Sequence, residues 1–180
     1  MRSLKLFTLF QIDVTISRVG LISCLIAWPI FGFIASRFQP LTVAQAAIAG
    51  LLSVLVIVGF EVVHQLGHAF IAWRVGYPMR RIHFASILAL GLYPKDEPPL
   101  PTHIHVKRAL GGFWVNLLIG LLLLPLARVA WAQGGVWGWL MGFATFMNIA
   151  FFGLGAFLPL DSRFGTTDGG TLLRLWRERD

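Results

Sequence analysis

The sequence predicts an all-α membrane protein with about four transmembrane helices, a short N-terminal β-hairpin and a few small strands. Of the 180 residues, 57% are hydrophobic and only 13% are charged, whereas soluble domains are about 45–50% apolar. Four apolar runs approach or exceed the roughly 17–25 residues that a helix needs to cross a bilayer. They cover about 19–36, 43–75, 110–130 and 136–160. We expect residues 1–180 to form one membrane-embedded domain.

The distribution of basic residues supports four spans and predicts their orientation. The chain carries 15 Lys and Arg against 8 Asp and Glu, a net charge of +7. If successive spans alternate in direction, Arg37 and Arg128 lie on one side of the membrane and the other basic residues lie opposite. Because cytoplasmic loops are enriched in Lys and Arg, both termini and the loop 76–107 are predicted to be cytoplasmic. We expect a multi-pass protein of a bacterial or archaeal cell membrane, with no nucleic-acid partner, because the basic residues form no stripe with interleaved aromatics.

The segments that flank the first two runs carry local signals. Residues 4–17 alternate weakly and are rich in β-branched and aromatic types, which predicts the hairpin, at the membrane surface. Pro29 should kink the first helix or be accommodated by neighbouring helices. Thr42 is the predicted N-cap of the second helix, which at ~1.5 Å per residue exceeds the ~30 Å hydrocarbon core. The single Cys24 excludes an intrachain disulfide and a thiolate metal cluster.

The loop 76–107 is interrupted by glycine and several prolines, and short cytoplasmic strands are predicted near 81–90, close to the functional site. It contains His83, His103 and His105. His103 and His105 would share one face of a strand. Surface histidines are usually inert, so we do not predict a second metal site from them.

The second apolar run contains the residues most suggestive of chemistry. Glu61, His64, Gln65 and His68 stand at i, i+3, i+4 and i+7, so all four lie on one side of a helix. Ionisable residues are costly inside a membrane and indicate a functional site. Two histidines four residues apart can bind one metal ion. The alternative is a polar stripe that joins helices by hydrogen bonds, although such stripes more often use Ser, Thr or a single amide.

Two histidines do not complete a metal site. A catalytic zinc ion usually has three protein ligands and one open position, so a carboxylate is expected from elsewhere in the chain. Asp161 and Asp168 are the candidates, both just beyond the fourth run. Their Gly and Pro neighbours would equally suit a loop or an N-cap aspartate.

Three segments resemble motifs of the site-2 protease family of intramembrane zinc metalloproteases. Residues 64–69, His-Gln-Leu-Gly-His-Ala, match the family's His-Glu-Leu-Gly-His-Ala except at the second position. In residues 111–116, Gly112 and Asn116 match the family's Gly-Pro-x-x-Asn, with Phe113 in place of proline. Leu158-Pro159 followed by Asp168-Gly169-Gly170 resembles the family's Asn-x-x-Pro to Asp-Gly segment. The motifs span residues 60–172 in the family's order.

The resemblance implies one zinc ion, with His64, His68 and Asp168 as ligands and Asp161 as the rival third ligand. It places the general base at position 65 and makes Asn116 a family-matching polar residue. Two departures stand out. Gln65 replaces the glutamate that would take a proton from water, and Ala156 replaces the asparagine that positions substrate or stabilises the oxyanion. Loss of a general base typically lowers the rate by about 10²–10⁴.

Gln65 has three possible origins: an engineered knockout, a natural pseudoprotease, or a natural enzyme whose base has moved. Glu61 is the candidate for a moved base, since seven residues bring it almost into line with His68. We favour another role for Glu61, as the carboxylate that accepts the free N–H of His64 and so fixes the tautomer of that imidazole.

The leading hypothesis is therefore a membrane metalloendopeptidase of site-2 type, acting on a transmembrane or membrane-adjacent peptide near the cytoplasmic leaflet of the lipid bilayer. A catalytically inactive pseudoprotease or membrane scaffold that keeps the metal is the second hypothesis. A metal transporter is the third, since histidine pairs also occur in spans of such proteins. The sequence indicates neither the substrate's identity nor the oligomeric state.

Overall fold

The computed structural model describes residues 3–159, 161–162 and 165–177. Most of this chain is helical, because an apolar segment in lipid must satisfy its backbone hydrogen bonds internally. The helices are α1 (Arg18–Phe38), α2 (Val43–Arg74), α3 (Thr102–Ala109), α4 (Phe113–Gln133), α5 (Gly135–Phe146) and α6 (Asp168–Arg177). The strands are β1 (Leu4–Leu9), β2 (Ile12–Ile16), β3 (Arg81–Phe84), β4 (Ala89–Leu92), β5 (Asp161–Ser162) and β6 (Gly165–Thr166).

Four helical segments of the described chain are long and apolar enough to cross a membrane, as predicted. They are Arg18–Phe38, Val43–Arg74, Thr102–Gln133 and Gly135–Phe157. The third joins α3 to α4 across a short break at residues 110–112, and so begins earlier than the sequence suggested. The fourth continues from α5 into a π-helix at Met147–Phe151 and a 3₁₀-helix at Leu154–Phe157.

Capping side chains define where the first two spans begin. Ser17 precedes α1, and its hydroxyl accepts a hydrogen bond from the Gly20 amide at 2.9 Å. Thr42 and Gln45 form a reciprocal capping box at the start of α2, which satisfies two amides that have no partner within the helix. The prediction that Thr42 is the N-cap is confirmed.

A small four-stranded sheet packs on α2, with strand order β1-β2-β3-β4. The predicted hairpin is present as β1 and β2, which are antiparallel. Its two-residue turn has positive φ at Phe10 and Gln11, the geometry whose twist matches a hairpin. β2 pairs in parallel with β3, and β3 pairs antiparallel with β4. The predicted strands near 81–90 are thus also present, and their buried side chains pack on Ala69 at the end of α2.

The prediction that His103 and His105 share one face of a strand is wrong, because both residues lie in α3. Residues two apart on an α-helix, at 3.6 residues per turn, point to nearly opposite sides. The helix starts directly after Pro101 and ends with Lys107 and Arg108, and basic residues near the C-terminus of a helix stabilise it. These signals favour a helix over a strand.

α2 is the central helix, because it packs against α1, α4 and α5 as well as α3 and β4. It crosses the break between α3 and α4 at very short range. A Cβ added to Gly111 would lie 2.6 Å from the Cα of His68, so only glycine lets these backbones approach so closely. This crossing brings the histidine-bearing turn of α2 against the start of α4.

Candidate metal centre

The polar stripe of α2 lies inside the protein. Glu61, His64, Gln65 and His68 are all buried, on the side of α2 that faces the break between α3 and α4 and the strand β4. Burying four polar side chains on one apolar helix is costly unless each finds partners. Each of them does, and the partners come from different elements.

Three ligand atoms converge at this position. The Nε2 atoms of His64 and His68 are 3.1 Å apart. Asp168, the first residue of α6, places Oδ2 3.6 Å from Nε2 of His64 and Oδ1 3.4 Å from Nε2 of His68. A tetrahedral zinc ion with ligands at 2.0–2.2 Å would hold its ligand atoms about 3.3–3.6 Å apart. The two histidine–aspartate distances fall in this range, and the distance between the two Nε2 atoms is slightly shorter. The three residues are the one group of potential metal ligands found within the described residues.

Each imidazole is oriented by a hydrogen bond on its other nitrogen. Nδ1 of His64 lies 3.2 Å from Oδ1 of Asn116, and Nδ1 of His68 lies 2.7 Å from the backbone oxygen of Arg108. Both partners are acceptors, so each Nδ1 carries the proton and donates it. Each Nε2 is then left with a lone pair directed at the shared space, as metal-binding histidines require.

Two further observations fit a cation between these side chains. Oδ2 of Asp168 is buried and has no hydrogen-bond partner among the residues the structure describes. A Cβ on Gly112 would lie 2.5–2.6 Å from Nε2 of His68 and from Nε2 and Cε1 of His64, so glycine keeps that side of the imidazoles open. Two imidazoles and one carboxylate form the donor set of a catalytic zinc site with one open position.

The rival third ligand, Asp161, is placed only as backbone. It lies in β5, which pairs with β6 just before α6, and its side chain is outside the described part of the structure. Asp168 is the aspartate whose carboxylate the structure brings to both histidines.

The acceptor of His64 belongs to a buried amide pair. Nδ2 of Asn116 donates to Oδ1 of Asn148 at 2.9 Å and to the carbonyl of Phe60 at 3.4 Å, while Nδ2 of Asn148 donates to the carbonyl of Ala144 at 2.8 Å. Both asparagines are fully buried. Asn148 lies in the π-helix, a distortion that often occurs at functional sites. Sequence reasoning missed Asn148, although a lone amide in an apolar span is a signal.

Gln65 and Glu61 form a second polar pair against β4. Nε2 of Gln65 donates to Oε1 of Glu61 at 3.1 Å and to the carbonyl of Ala89 at 3.2 Å, and the Ala89 amide donates to Oε1 of Glu61 at 3.1 Å. The prediction that Glu61 accepts the N–H of His64 is wrong. Asn116 takes that position, because α4 crosses α2 on the side of the imidazole while β4 engages Glu61.

An ion pair that the sequence did not reveal lies beside His68. The buried guanidinium of Arg108 donates twice to Glu97, at 2.7 and 2.9 Å, and once to the carbonyl of Tyr77 at 2.8 Å. It also stacks on the ring of Tyr93, 3.7 Å from the centroid. Burial raises the pKa of Tyr93 to about 12. In the sequence Arg108 directly precedes an apolar run, where a basic residue is expected to face water at the membrane surface. The sequence therefore contains no indication that Arg108 is buried.

The loop histidines do not join the centre. His83 lies on β3, with Nδ1 2.9 Å from the hydroxyl of Thr15, and burial, assisted by the charge of Arg81, lowers the pKa of His83. His103 and His105 lie on α3 and belong to no group of potential ligands in the described chain. Their role stays undefined.

Comparison with protein-family models and with the sequences of curated proteins gives no match. Comparison with solved structures does. The structure titled Site-2 Protease from Methanocaldococcus jannaschii superposes with a TM-score of 0.63 and 17% sequence identity, covering 99% of this chain and 73% of that chain. The described chain is thus mostly helical, with four segments able to cross a membrane and a candidate metal centre. Its fold is that of a site-2 protease.

Proposed function

We propose that the protein is an intramembrane zinc metalloendopeptidase of site-2 type. One observation carries the proposal: ligand atoms of His64, His68 and Asp168 lie within 4.8 Å of one another, inside a bundle whose fold is similar to that of a site-2 protease. The polar stripe that makes this centre belongs to α2, one of the four segments able to cross a membrane. Substrate would be a transmembrane or membrane-adjacent peptide.

When bound, zinc would act as a Lewis acid toward the scissile carbonyl and lower the pKa of water. The protein's own part begins with orientation. Asn116 and the carbonyl of Arg108 hold the two imidazoles with Nε2 inward, and Asp168 supplies negative charge. Gly112 leaves room beside the rings. His64, His68 and Asp168 would hold the ion, and Gly112 leaves space beside it.

Gln65 stands where a general base is expected, and a glutamine amide cannot take up the proton. Its Nε2 is already committed to Glu61 and to the carbonyl of Ala89. Hydrolysis by the chain as it stands would lack general-base assistance, a loss of about 10²–10⁴ in rate. We propose that any activity of this sequence is correspondingly slow.

The strand β4 supports a route for substrate. It is one of the two outer strands of the sheet, and the backbone N–H and C=O of Ala89 on its edge bond to Glu61 and Gln65. Gly91, two residues further on, lies on the same side of β4, since strand residues alternate, and faces Gln65. A helical peptide hides its carbonyls, whereas an extended peptide added along a strand edge presents them. We propose that substrate unwinds and lies beside β4.

The orientation in the membrane is also a proposal. The excess of Lys and Arg on one side supports cytoplasmic termini and a cytoplasmic loop 76–107. The strands of the sheet and the ion pair of Arg108 with Glu97 come from the segments on this basic side, the N-terminal hairpin and the chain between α2 and α4. Cleavage would then occur near the cytoplasmic leaflet.

Restoring the base tests the proposal. Gln65→Glu alone places a second carboxylate against Glu61, so the matched variant is the exchange Glu61→Gln with Gln65→Glu, which keeps one acid and one amide. Purified variants in liposomes receive a panel of doubly labelled single-span peptides. We expect cleavage to rise by about 10² or more in the exchange variant and to vanish when Asp168→Ala is added. No gain, with zinc bound, would contradict position 65 as the catalytic position.

A non-catalytic scaffold that retains the metal is the second candidate, and one observation favours it. The amide of Gln65 donates to Glu61 and to the carbonyl of Ala89, which an ionised glutamate could not do. This fit is expected if glutamine is the natural residue at position 65. Zinc bound with every peptide intact in the exchange variant would support this function. Zinc uptake into sealed vesicles would instead support transport.

A further inference from the structure

Arg108 is buried and forms an ion pair with the partly buried Glu97, and neither residue is a candidate metal ligand. Two nitrogens of the guanidinium reach the two carboxylate oxygens of Glu97 at 2.7 and 2.9 Å, a bidentate geometry. Only 5% of Arg108 is exposed. A buried ion pair pays for desolvation only if its geometry is good and its remaining atoms are bonded, so its presence calls for an explanation.

The pair connects three segments that meet at the centre. Arg108 lies in the last turn of α3, Glu97 belongs to the loop between β4 and α3, and the carbonyl of Tyr77 follows the end of α2. The ring of Tyr93 covers one face of the guanidinium. Because a guanidinium is planar with fixed donor directions, these contacts fix the position of residue 108 itself.

The backbone carbonyl of Arg108 is the acceptor for His68, at 2.7 Å from Nδ1. This carbonyl lies at the C-terminus of α3, where the last carbonyls have no partner within the helix and carry partial negative charge. It also accepts from the Gly111 amide at 3.0 Å. The side chain of Arg108 thus anchors the same residue whose oxygen holds the imidazole.

Nε of Arg108 is buried and has no hydrogen-bond partner within the described residues. A buried unsatisfied donor destabilises the fold. The cluster therefore holds one residue in place at some cost to stability.

We propose that Arg108 is a positioning residue, clamped by Glu97, that sets the metal affinity of the centre through the hydrogen bond between its own carbonyl and His68. The inference rests on the proposed function, since it assumes that His64, His68 and Asp168 bind zinc. It adds the ion pair as the device that keeps Nδ1 of His68 protonated and Nε2 turned toward the ion. Outer partners of a metal-binding histidine typically contribute 10–100-fold in affinity, roughly.

The test measures zinc affinity of the full chain in nanodiscs with a competing chelator. Glu97→Gln keeps the shape but removes the charge, and Arg108→Lys keeps the charge but removes the bidentate fork. We expect each to weaken zinc binding by about 10–100-fold, and the double variant to be no weaker than Arg108→Lys, because both changes break one interaction. Cobalt loaded into the site should show shifted visible absorption bands in the variants, since the ring of His68 moves.

The matched control is Asp13→Asn, which breaks the exposed ion pair between Lys5 and Asp13, 2.6 Å apart on the hairpin. It should leave zinc affinity unchanged. The inference is overturned if wild type binds zinc and both clamp variants bind it equally tightly with unchanged cobalt spectra. If Arg108→Lys does not fold, Glu97→Gln alone decides the matter. A wild-type chain that binds no zinc would instead overturn the proposed function.

Discussion

The two histidines of the centre lie one turn apart on the same helix, yet they are held by different means. His64 is held from within the bundle, by the buried amides of Asn116 and Asn148 on two apolar spans. His68 is held from the end of the bundle, by a backbone carbonyl whose residue is anchored by an ion pair with Glu97.

This difference separates two kinds of sensitivity. The amide pair around His64 is neutral and fully buried. A variant that breaks this pair leaves a buried polar group without a hydrogen-bond partner, which destabilises the fold. The support of His68 depends on a charged loop residue and on an aromatic ring, so it is sensitive to changes outside the spans. Zinc binding should therefore weaken most in variants that disturb both histidines, less in variants that disturb one, and least in variants that disturb neither.

The largest effect is expected from Gly112→Ala, which affects both histidines at once. Gly112 has φ −86° and ψ −49°, a conformation that alanine adopts freely, so the harm is purely steric. The new methyl group would lie 2.5–2.6 Å from both Nε2 atoms. We expect zinc binding to fall by more than the roughly 100-fold upper range of an outer partner, measured by chelator competition.

Gly59→Ala is the matched control, because a Cβ on Gly59 meets nothing within 4 Å. It should leave zinc affinity unchanged and improve helix stability by up to about 1 kcal/mol. Equal zinc affinity in the two alanine variants would contradict a cation between the imidazoles.

The next effect isolates the His64 side. Asn116→Leu removes the acceptor of His64 and the donor to Asn148 and Phe60, whereas Asn148→Leu removes only the outer member of the pair. We expect about 10–100-fold weaker zinc binding for Asn116→Leu and a smaller loss for Asn148→Leu. Thermal unfolding of the metal-free proteins should show about 1–3 kcal/mol lost for each buried group left unpaired. If Asn148→Leu lost more zinc affinity than Asn116→Leu, then Asn116 would not be the residue that holds His64 directly.

A smaller effect is expected on the His68 side at Tyr93. The ring, not the hydroxyl, covers Arg108, so Tyr93→Phe should preserve zinc affinity while Tyr93→Ala weakens it several-fold. Because burial raises the pKa of Tyr93 to about 12, the phenol stays neutral across the physiological range. Absorbance titration of wild type against Tyr93→Phe should show one tyrosine ionising near that value, and an ordinary pKa would contradict its burial.

The smallest effect is expected at the exposed ion pair, which touches neither histidine. Hydrogen bonds from Lys5 and Thr8 lower the pKa of Asp13. A carboxyl group with a lowered pKa stabilises the fold above its ordinary pKa, and this contribution disappears as the pH falls through the lowered value. Acid unfolding of Asp13→Asn should therefore match wild type in strong acid and fall slightly below it near neutral pH. A large difference would mean that the hairpin contributes more than its exposure suggests.

Hydropathy and local patterns were sufficient for the outline of the fold. Apolar length predicted the four spans, alternation predicted the hairpin, and the His64–His68 spacing predicted that the two imidazoles converge. The preference for Asp168 over Asp161 came from the resemblance to the site-2 protease motifs. The remaining contacts are set by tertiary packing. Glu61 was expected to hold His64, but the crossing of α4 gave that role to Asn116. Nothing in a single sequence reports that Arg108 turns inward to meet Glu97, because a residue at a membrane boundary usually faces water.

The order of the ligands along the chain has a consequence for biosynthesis. Asp168 follows His68 by about a hundred residues and lies beyond the fourth apolar segment. The chain is made from its N-terminus, so a partly made chain holds both imidazoles before Asp168 exists to join them. The three side chains can therefore meet only after the fourth apolar segment has been made, so the cluster depends on assembly of the whole bundle.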